Sequence, residues 1–229
     1  MSAEAPDHVA RMAAALVTPG IGAAAPPGVD RAAFACALVE DACDLIAELE
    51  NLAPAVAVSP AAETELGGRS VEELAWPGTT VLRLADGSGA GFAAQALRRM
   101  AGLGARQGAV AAADAPDMPL LLIGKLFRAL GGARRRTDVA VCPADGGGLV
   151  ALAAWLPAPD WVSVPVPPAQ PCELDVTDVI DRLRHAAPRA GAVQLVPGWH
   201  RLRSPADVSG LDPGLEGWPA TRSVLRPRR

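Results

Sequence analysis

Residues 108–119 read GAVAAADAPDMP, and this stretch decides the fold that the sequence predicts. Its first half is small and apolar, which is typical of a short strand buried on both faces. Asp114 and Asp117 follow at once, together with Pro116 and Pro119. Because each proline fixes its own φ and restricts the residue before it, the turn is stiff and holds its carboxylates in place. The stretch therefore predicts acidic groups at the carboxyl edge of a sheet, where open α/β folds bind ligands.

Asp117 has a second explanation, because aspartate is also preferred immediately before a helix. The segment at residues 120–130 is predicted as a helix, and Pro119 suits its first turn. A capping role and a functional role both stay open for Asp117. Asp114, at the end of the strand, is harder to explain by capping.

Strands and helices alternate along the rest of the chain. Strands are predicted at residues 9–18, 55–59, 79–84, 110–113, 138–142 and 194–196, with a further apolar run at 149–156. For residues 9–18 a helix also stays open, because the run is rich in alanine. Helices are predicted at residues 30–52, 92–103, 120–130, 175–187 and, as a short turn, near 205–211. This alternation predicts an α/β fold, a single three-layer α/β/α domain with a mostly parallel central sheet.

The length of 229 residues fits one such domain, which we expect to span residues 9–215. Residues 1–8 are expected to be a disordered tail, and residues 216–229 a basic, solvated tail. The net charge of −4 gives no general argument for nucleic-acid binding.

No uninterrupted apolar run of about eighteen residues is present, so the sequence predicts no membrane-spanning helix. A cytoplasmic location is expected. The spacing of the four cysteines is not that of a metal site or a disulfide framework, and buried reduced thiols are expected at Cys36, Cys43, Cys142 and Cys172.

Two motifs resemble those of a known family. The chain resembles the small bacterial glycosyltransferase-A-like proteins in the run AAADAPDMP, in the predicted helix that follows it, and in the run DVAVCPADGGGLVAL after that helix. These are relatives of the molybdenum-cofactor and phospholactate guanylyltransferases within the nucleotide-diphospho-sugar transferase superfamily. Residues 114–119 resemble the family turn Asp-x-Pro-Asp-Leu-Pro, with Met118 in place of leucine, and residues 143–147 resemble its Pro-x-Asp-Gly-Gly motif. The resemblance covers about residues 30–211.

The resemblance implies a glycosyltransferase-A type fold and a glycosyltransferase or nucleotidyltransferase that binds a nucleotide or nucleotide sugar. Asp145 would contact the acceptor or a metal, although an aspartate before glycines is also common in turns. The expected nucleotide-binding glycines lie in the first loop and after the third strand, namely Gly20, Gly22, Gly87, Gly89 and Gly91.

The sequence departs from the family at two places. The first loop, residues 19–28, has none of the basic residues that grip phosphates in relatives, although its backbone N–H groups could still hold an anion. Arg201 and Arg203 stand where relatives carry metal-binding carboxylates. Asp114 is therefore a candidate metal ligand with few charged co-ligands, and the cofactor, Mg²⁺ or Mn²⁺ in such a family, stays undetermined.

Three interpretations follow from these departures. In the first, Arg201 and Arg203 replace the metal in neutralising a pyrophosphate leaving group, while Asp114 and Asp117 orient the ribose or the acceptor. In the second, the chain is a pseudoenzyme that keeps the scaffold and acts as a binding or regulatory protein. In the third, it is an ordinary metal-dependent transferase, and Asp145 or Asp207 completes the shell of the ion.

Overall fold

The structure is a computed structural model that describes residues 11–86, 90–131, 137–166, 172–215 and 217–226. Its strands are β1 (Arg11–Val17), β2 (Ala53–Val58), β3 (Thr80–Arg83), β4 (Gln107–Ala112), β5 (Val139–Pro143), β6 (Leu149–Trp155) and β7 (Val193–Leu195). Its α-helices are α1 (Arg31–Ala47), α2 (Pro60–Thr64), α3 (Val71–Leu74), α4 (Phe92–Gly102), α5 (Leu120–Leu130), α6 (Val179–Ala186) and α7 (Pro219–Leu225).

The seven strands form one sheet in the order β3-β2-β1-β4-β6-β5-β7. Four of its six pairings are parallel, and the two pairings of β6 are antiparallel. The antiparallel pairing follows from the short connection between β5 and β6, residues 144–148, because so few residues allow only a hairpin. Three consecutive glycines with positive φ, Gly146, Gly147 and Gly148, form this turn.

Helices cover both faces of the sheet. Helices α1, α5 and α7 contribute to the core on one face, and α4 and α6 contribute to the core on the other. In β1, Ala13 and Ala15 belong to the first core and Ala14 and Leu16 to the second. Successive side chains of a strand point to opposite faces of the sheet, and both faces are buried. This explains why nearly every residue of these strands is apolar.

The sequence thus predicted the α/β/α architecture and the mostly parallel sheet correctly. Several helices begin or end at residues other than those predicted from the sequence. The helix expected at residues 175–187 begins only at Val179, because Glu173–Asp175 form a separate 3-10 turn. The short helix that follows Ser204 is also a 3-10 helix, Pro205–Gly210, with a capping box between Ser204 and Asp207.

The C-terminal segment differs from the solvated tail that we expected. Helix α7 packs against α1, and Trp218 and Thr221 are buried. The carboxylate of Asp41, on α1, accepts hydrogen bonds from the N–H groups of Ala220 and Thr221. A buried acid thus caps α7, which the basic composition of the segment did not indicate. The expected N-terminal tail, residues 1–8, lies outside the described residues.

No helix in the described part of the chain is both long enough and apolar enough to cross a membrane. The four cysteines are unbridged and buried. Burial raises the pKa of Cys43 and of Cys142 to about 12, so these thiols stay protonated at neutral pH.

Candidate functional site

A cleft of about 380 Å³ opens at the carboxyl edge of the parallel strands. Strand β1 lies between β2 and β4. The chain continues from β1 to β2 and β3 on one side and then crosses to β4 on the other side, so the strand order reverses here. Such a topological switch point is where α/β folds bind their ligands. The residues that line the cleft are Thr18, Pro19, Gly20, Ile21, Phe92, Asp114, Cys172, Asp175, Thr177, Arg201, Leu202 and Arg203.

Asp114 and Arg201 form a two-pronged ion pair at the base of this cleft. Nε of Arg201 donates to Oδ1 of Asp114 at 2.7 Å, and Nη2 donates to Oδ2 at 2.9 Å. The backbone carbonyl of Asp114 also accepts from the N–H of Leu202 at 2.7 Å. Both carboxylate oxygens of Asp114 are therefore engaged by the guanidinium, in the geometry that arginine and carboxylate groups match best.

Oxygen atoms also surround the remaining nitrogen of Arg201. Its Nη1 lies 2.8 Å from Oδ1 of Asp175 and donates to the carbonyls of Leu149 and Leu174 at 3.1 and 3.2 Å. The Arg201 side chain is 3% exposed. Burial alone would lower the pKa of Arg201, but the charges of Asp114 and Asp175 raise it above its ordinary value. Arg201 is thus an internal, permanently charged group that has little surface left for a ligand.

Arg203 has a different environment although it is only two residues away. It is exposed at the cleft wall, and its Nη1 donates to the carbonyl of Gly147 at 2.9 Å. No carboxylate forms an ion pair with it among the described residues. Partial desolvation and the charge of Arg201 lower the pKa of Arg203. Its guanidinium therefore has donors available for an anion in the cleft.

Asp117 does not line the cleft. Its carboxylate accepts from Nε1 of Trp199 at 3.1 Å and from the N–H of Asp212 at 3.3 Å, and Nε2 of His200 lies 2.9 Å away. Asp117 is 2% exposed. The structure gives it a structural task, joining the turn after β4 to residues 199–212, and it is not the N-cap residue of α5, which is Pro119.

Asp145 and Asp207 also lie outside the cleft lining. Asp145 is exposed, and its backbone N–H donates to the carbonyl of Trp199. The Oδ2 atom of Asp207 accepts from the N–H groups of Arg203 and Ser204 and from the Ser204 hydroxyl. Neither carboxylate is placed to join Asp114 in holding an ion.

The glycines expected to approach a nucleotide differ in their surroundings. Gly20 lines the cleft with φ +88°, and its N–H donates to Oε1 of Glu65. Gly22 packs against the first turn of α1, where an added Cβ would lie 2.8 Å from the carbonyl of Arg31. Gly87 and Gly89 lie outside the described residues.

Gly91 is the N-cap residue of α4 and faces Glu173, whose carboxylate accepts from the N–H groups of Ala93 and Ala94. An added Cβ at Gly91 would overlap that carboxylate. Burial raises the pKa of Glu173, which is 2% exposed. A carboxylate of the chain itself therefore occupies the helix N-terminus, a position that attracts anions.

The metal implied by the resemblance does not fit these residues. A divalent ion such as Mg²⁺ would need the oxygens of Asp114, and the charged guanidinium of Arg201 already holds both of them. No group of three or more histidine, cysteine, aspartate or glutamate side chains could hold a metal within the described ranges. The guanidinium of Arg201 consequently occupies the position at which a metal ion would have to bind Asp114.

Asp114, Arg201 and Arg203, three of the site residues named from the sequence, line the same cleft. Asp175, Thr18 and Thr177 also line it but were not named from the sequence. The sequence pattern predicts a helix that begins at Asp175, whereas this residue ends a 3-10 turn at the cleft. Nothing in its local pattern marks it, because its role depends on an arginine that lies 26 residues further along the chain. Only the packing of the segment at residues 172–177 over the sheet edge reveals it.

Comparison with known proteins identifies the fold. No family model matches the chain, and no curated protein matches it in sequence. A protein from Desulfovibrio desulfuricans assigned to the nucleotide-diphospho-sugar transferases has a similar structure, with a TM-score of 0.62 at 15% identity, covering 93% of this chain and 94% of that one.

Two further solved structures are similar over nearly their whole length. For 4-diphosphocytidyl-2C-methyl-D-erythritol synthase from Anaerococcus prevotii the TM-score is 0.57 at 11% identity, with 96% of this chain and 98% of that one covered. For a Bacillus anthracis protein assigned as a glucose-1-phosphate thymidylyltransferase, the TM-score is 0.58 at 10% identity, with 96% and 97% covered. At these identities the similarity establishes the fold alone: the chain has the fold of the nucleotide-diphospho-sugar transferases.

Proposed function

We propose that the cleft binds a nucleotide or nucleotide sugar without a divalent cation, and that the chain is a divergent member of the nucleotidyltransferase and glycosyltransferase group. The observation that carries this proposal is the bidentate pair between Asp114 and Arg201, which engages both carboxylate oxygens that a divalent cation would need and leaves Arg203 as the exposed cation of the cleft. The fold, the position at the switch point and the volume of about 380 Å³ support a ligand of this size.

Arg203 is the residue that we assign to the phosphate groups. Arg201 would not contact them directly as the sequence suggested, because its side chain is 3% exposed and its Nε and Nη1 atoms donate to oxygens of the chain. Arg203 is exposed at the cleft wall, and guanidinium groups match phosphate geometry. Asp175, whose side chain is 30% exposed, has room to accept hydrogen bonds from ligand hydroxyls, and the Thr18 and Thr177 side chains also line the cleft.

A second candidate function, a non-catalytic binding or regulatory protein, is favoured by one feature. Two positions where backbone N–H groups could hold phosphate are occupied by carboxylates of the chain: Glu65 at Gly20, and Glu173 at the start of α4. A ligand would have to bind without these groups. Both candidates require the same cleft, and they differ in whether bound ligand turns over.

Calorimetry with UDP-glucose, CTP and GTP, each with Mg²⁺ or with EDTA, tests the proposal. We expect binding that is unchanged in EDTA and that weakens about 10- to 100-fold in Arg203→Ala, because one charge-assisted interaction is lost. Arg128→Ala, an exposed arginine on α5 outside the cleft, is the matched control and should bind normally. Binding that requires Mg²⁺, or an absence of binding to all three ligands, would contradict the proposal. Incubation of the bound ligand with added sugar and sugar-phosphate acceptors then separates the candidates. A transferase joins the transferred group to the acceptor and releases the nucleotide or pyrophosphate, whereas a binding protein returns the ligand intact.

A further inference from the structure

The oxygen atoms around the Arg201 guanidinium come from three separate segments of the chain. Asp114 follows β4, Leu149 begins β6, Leu174 and Asp175 belong to the 3-10 turn over the sheet edge, and Arg201 itself lies beyond β7. Their five oxygens lie 2.7–3.2 Å from guanidinium nitrogens. Carboxylate and backbone carbonyl oxygens are the donors that hard divalent cations prefer, at ~2.3–2.6 Å for Ca²⁺.

The charges around Arg201 are also those of a cation site. One guanidinium faces two carboxylates, Asp114 with 12% and Asp175 with 30% of the side chain exposed. Without the guanidinium, two negative charges would share a largely desolvated space, which favours uptake of either a proton or a cation. The carbonyl oxygens of Leu149 and Leu174 both accept from Nη1 of Arg201, and two carbonyl oxygens directed at one position favour a cation over a proton.

We infer, in extension of the proposed function, that Arg201 is a tethered cation that fills an oxygen-lined site suited to a hard divalent metal ion. The guanidinium of Arg201 occupies the place of a bound ion, so the chain supplies this positive charge itself instead of taking up an ion from solution. The charge of the cleft is therefore independent of the metal concentration around the protein. Removal of the Arg201 side chain should reopen the site to Mn²⁺ or Ca²⁺.

The experiment measures metal binding by Arg201→Ala in the full-length chain, with no nucleotide present. We expect Mn²⁺ titrations followed by electron paramagnetic resonance to show about one bound ion per chain in the variant and none in the wild type. Thermal unfolding should show a lower Tm in EDTA than the wild type has, and millimolar Mn²⁺ should raise the Tm of the variant by about 3 °C or more. The Tm of the wild type should be the same in Mn²⁺ and in EDTA.

Two controls separate a metal site from nonspecific binding. Arg203→Ala removes the neighbouring arginine, which has no carboxylate partner among the described residues, and should gain no Mn²⁺ response. The double variant Arg201→Ala/Asp114→Asn should lose the bound ion because it lacks a charged ligand.

A folded Arg201→Ala that binds no more Mn²⁺ than the wild type would overturn the inference, and so would stoichiometric Mn²⁺ binding by the wild type. If the variant is insoluble, it is refolded from urea with Mn²⁺ or with EDTA. Recovery only with Mn²⁺ supports the inference, and equal failure in both overturns it. Because no step uses a nucleotide, a failure of nucleotide binding leaves this result intact and is recognised separately.

Discussion

At the scale of single residues, close approaches of neighbouring atoms explain Gly22 and Gly91 better than phosphate binding does. Gly22 is packed against α1, and Gly91 leaves space for the Glu173 carboxylate at the start of α4. The same sequence signal, a glycine-rich loop after a strand, is produced by both causes. Only the neighbouring side chains distinguish them, and they come from distant parts of the chain.

We predict that Gly91→Ala destabilises the protein by about 2 kcal/mol, because the new methyl group forces the buried carboxylate of Glu173 away from the N–H groups of Ala93 and Ala94. The matched control is Gly102→Ala at the other end of α4, where an added Cβ meets nothing within 4 Å. That variant should gain up to about 0.5 kcal/mol. Urea unfolding of both variants measures the two changes, and equal stabilities would refute the explanation.

At the scale of elements, the last helix belongs to the domain. Helix α7 packs on α1. Both carboxylate oxygens of Asp41, on α1, accept hydrogen bonds from N–H groups in the first turn of α7. Asp41 is 0% exposed, so these two hydrogen bonds compensate for the burial of an acid. A short, basic C-terminal sequence gives no sign of this, because the capping residue lies about 180 positions away.

We expect Asp41→Ala to lower the free energy of unfolding by about 2 kcal/mol and to release α7, because the first turn of that helix loses its acceptor. Limited proteolysis should then remove the C-terminal segment faster than in the wild type. Asp44→Ala, three positions further along α1 and partly exposed, is the control and should leave the cleavage rate of α7 unchanged. A variant at Asp41 with wild-type stability and cleavage would show that α7 is held by other contacts.

At the scale of the whole molecule, buried acids link stability to pH. Burial raises the pKa of both Asp41 and Glu173. A raised pKa means that the folded chain keeps a proton that the unfolded chain releases. The stability contributed by each group is therefore largest below its unfolded pKa and falls as the pH rises through its folded pKa.

Glu173→Gln tests this linkage. Because the ordinary pKa of glutamate is near 4.5, we expect the stability of the wild type relative to this variant to decrease as the pH rises above that value. Urea unfolding of both proteins at pH 4.5 and at pH 8 provides the comparison, and effects of other groups cancel in the difference. A difference that stays constant with pH would show that the N–H groups of α4 balance the effect of burial, and one that increases towards pH 8 would show that they outweigh it; either result contradicts the expectation.

The layered architecture of this protein and the sheet edge at which its cleft lies could be predicted from the amino-acid sequence. The alternation of apolar strands with helices requires a sheet covered on both faces, and the run at residues 108–119 brings Asp114 to its carboxyl edge, since a short apolar strand can end in a stiff acidic turn only at a sheet margin. The placement of Arg201 and Arg203 near that acid came from the family resemblance, in which they stand where relatives carry metal-binding carboxylates.

The environment of each charged side chain depends on the folded chain. The tertiary structure encloses Arg201 among Asp114, Asp175 and two carbonyls, leaves Arg203 exposed, and turns Asp117 away from the cleft. The two arginines are equivalent in sequence, two positions apart on an irregular segment. Burial and hydrogen-bond partners make them different, and these depend on segments that meet only when the chain is folded, which is why no local pattern encodes them.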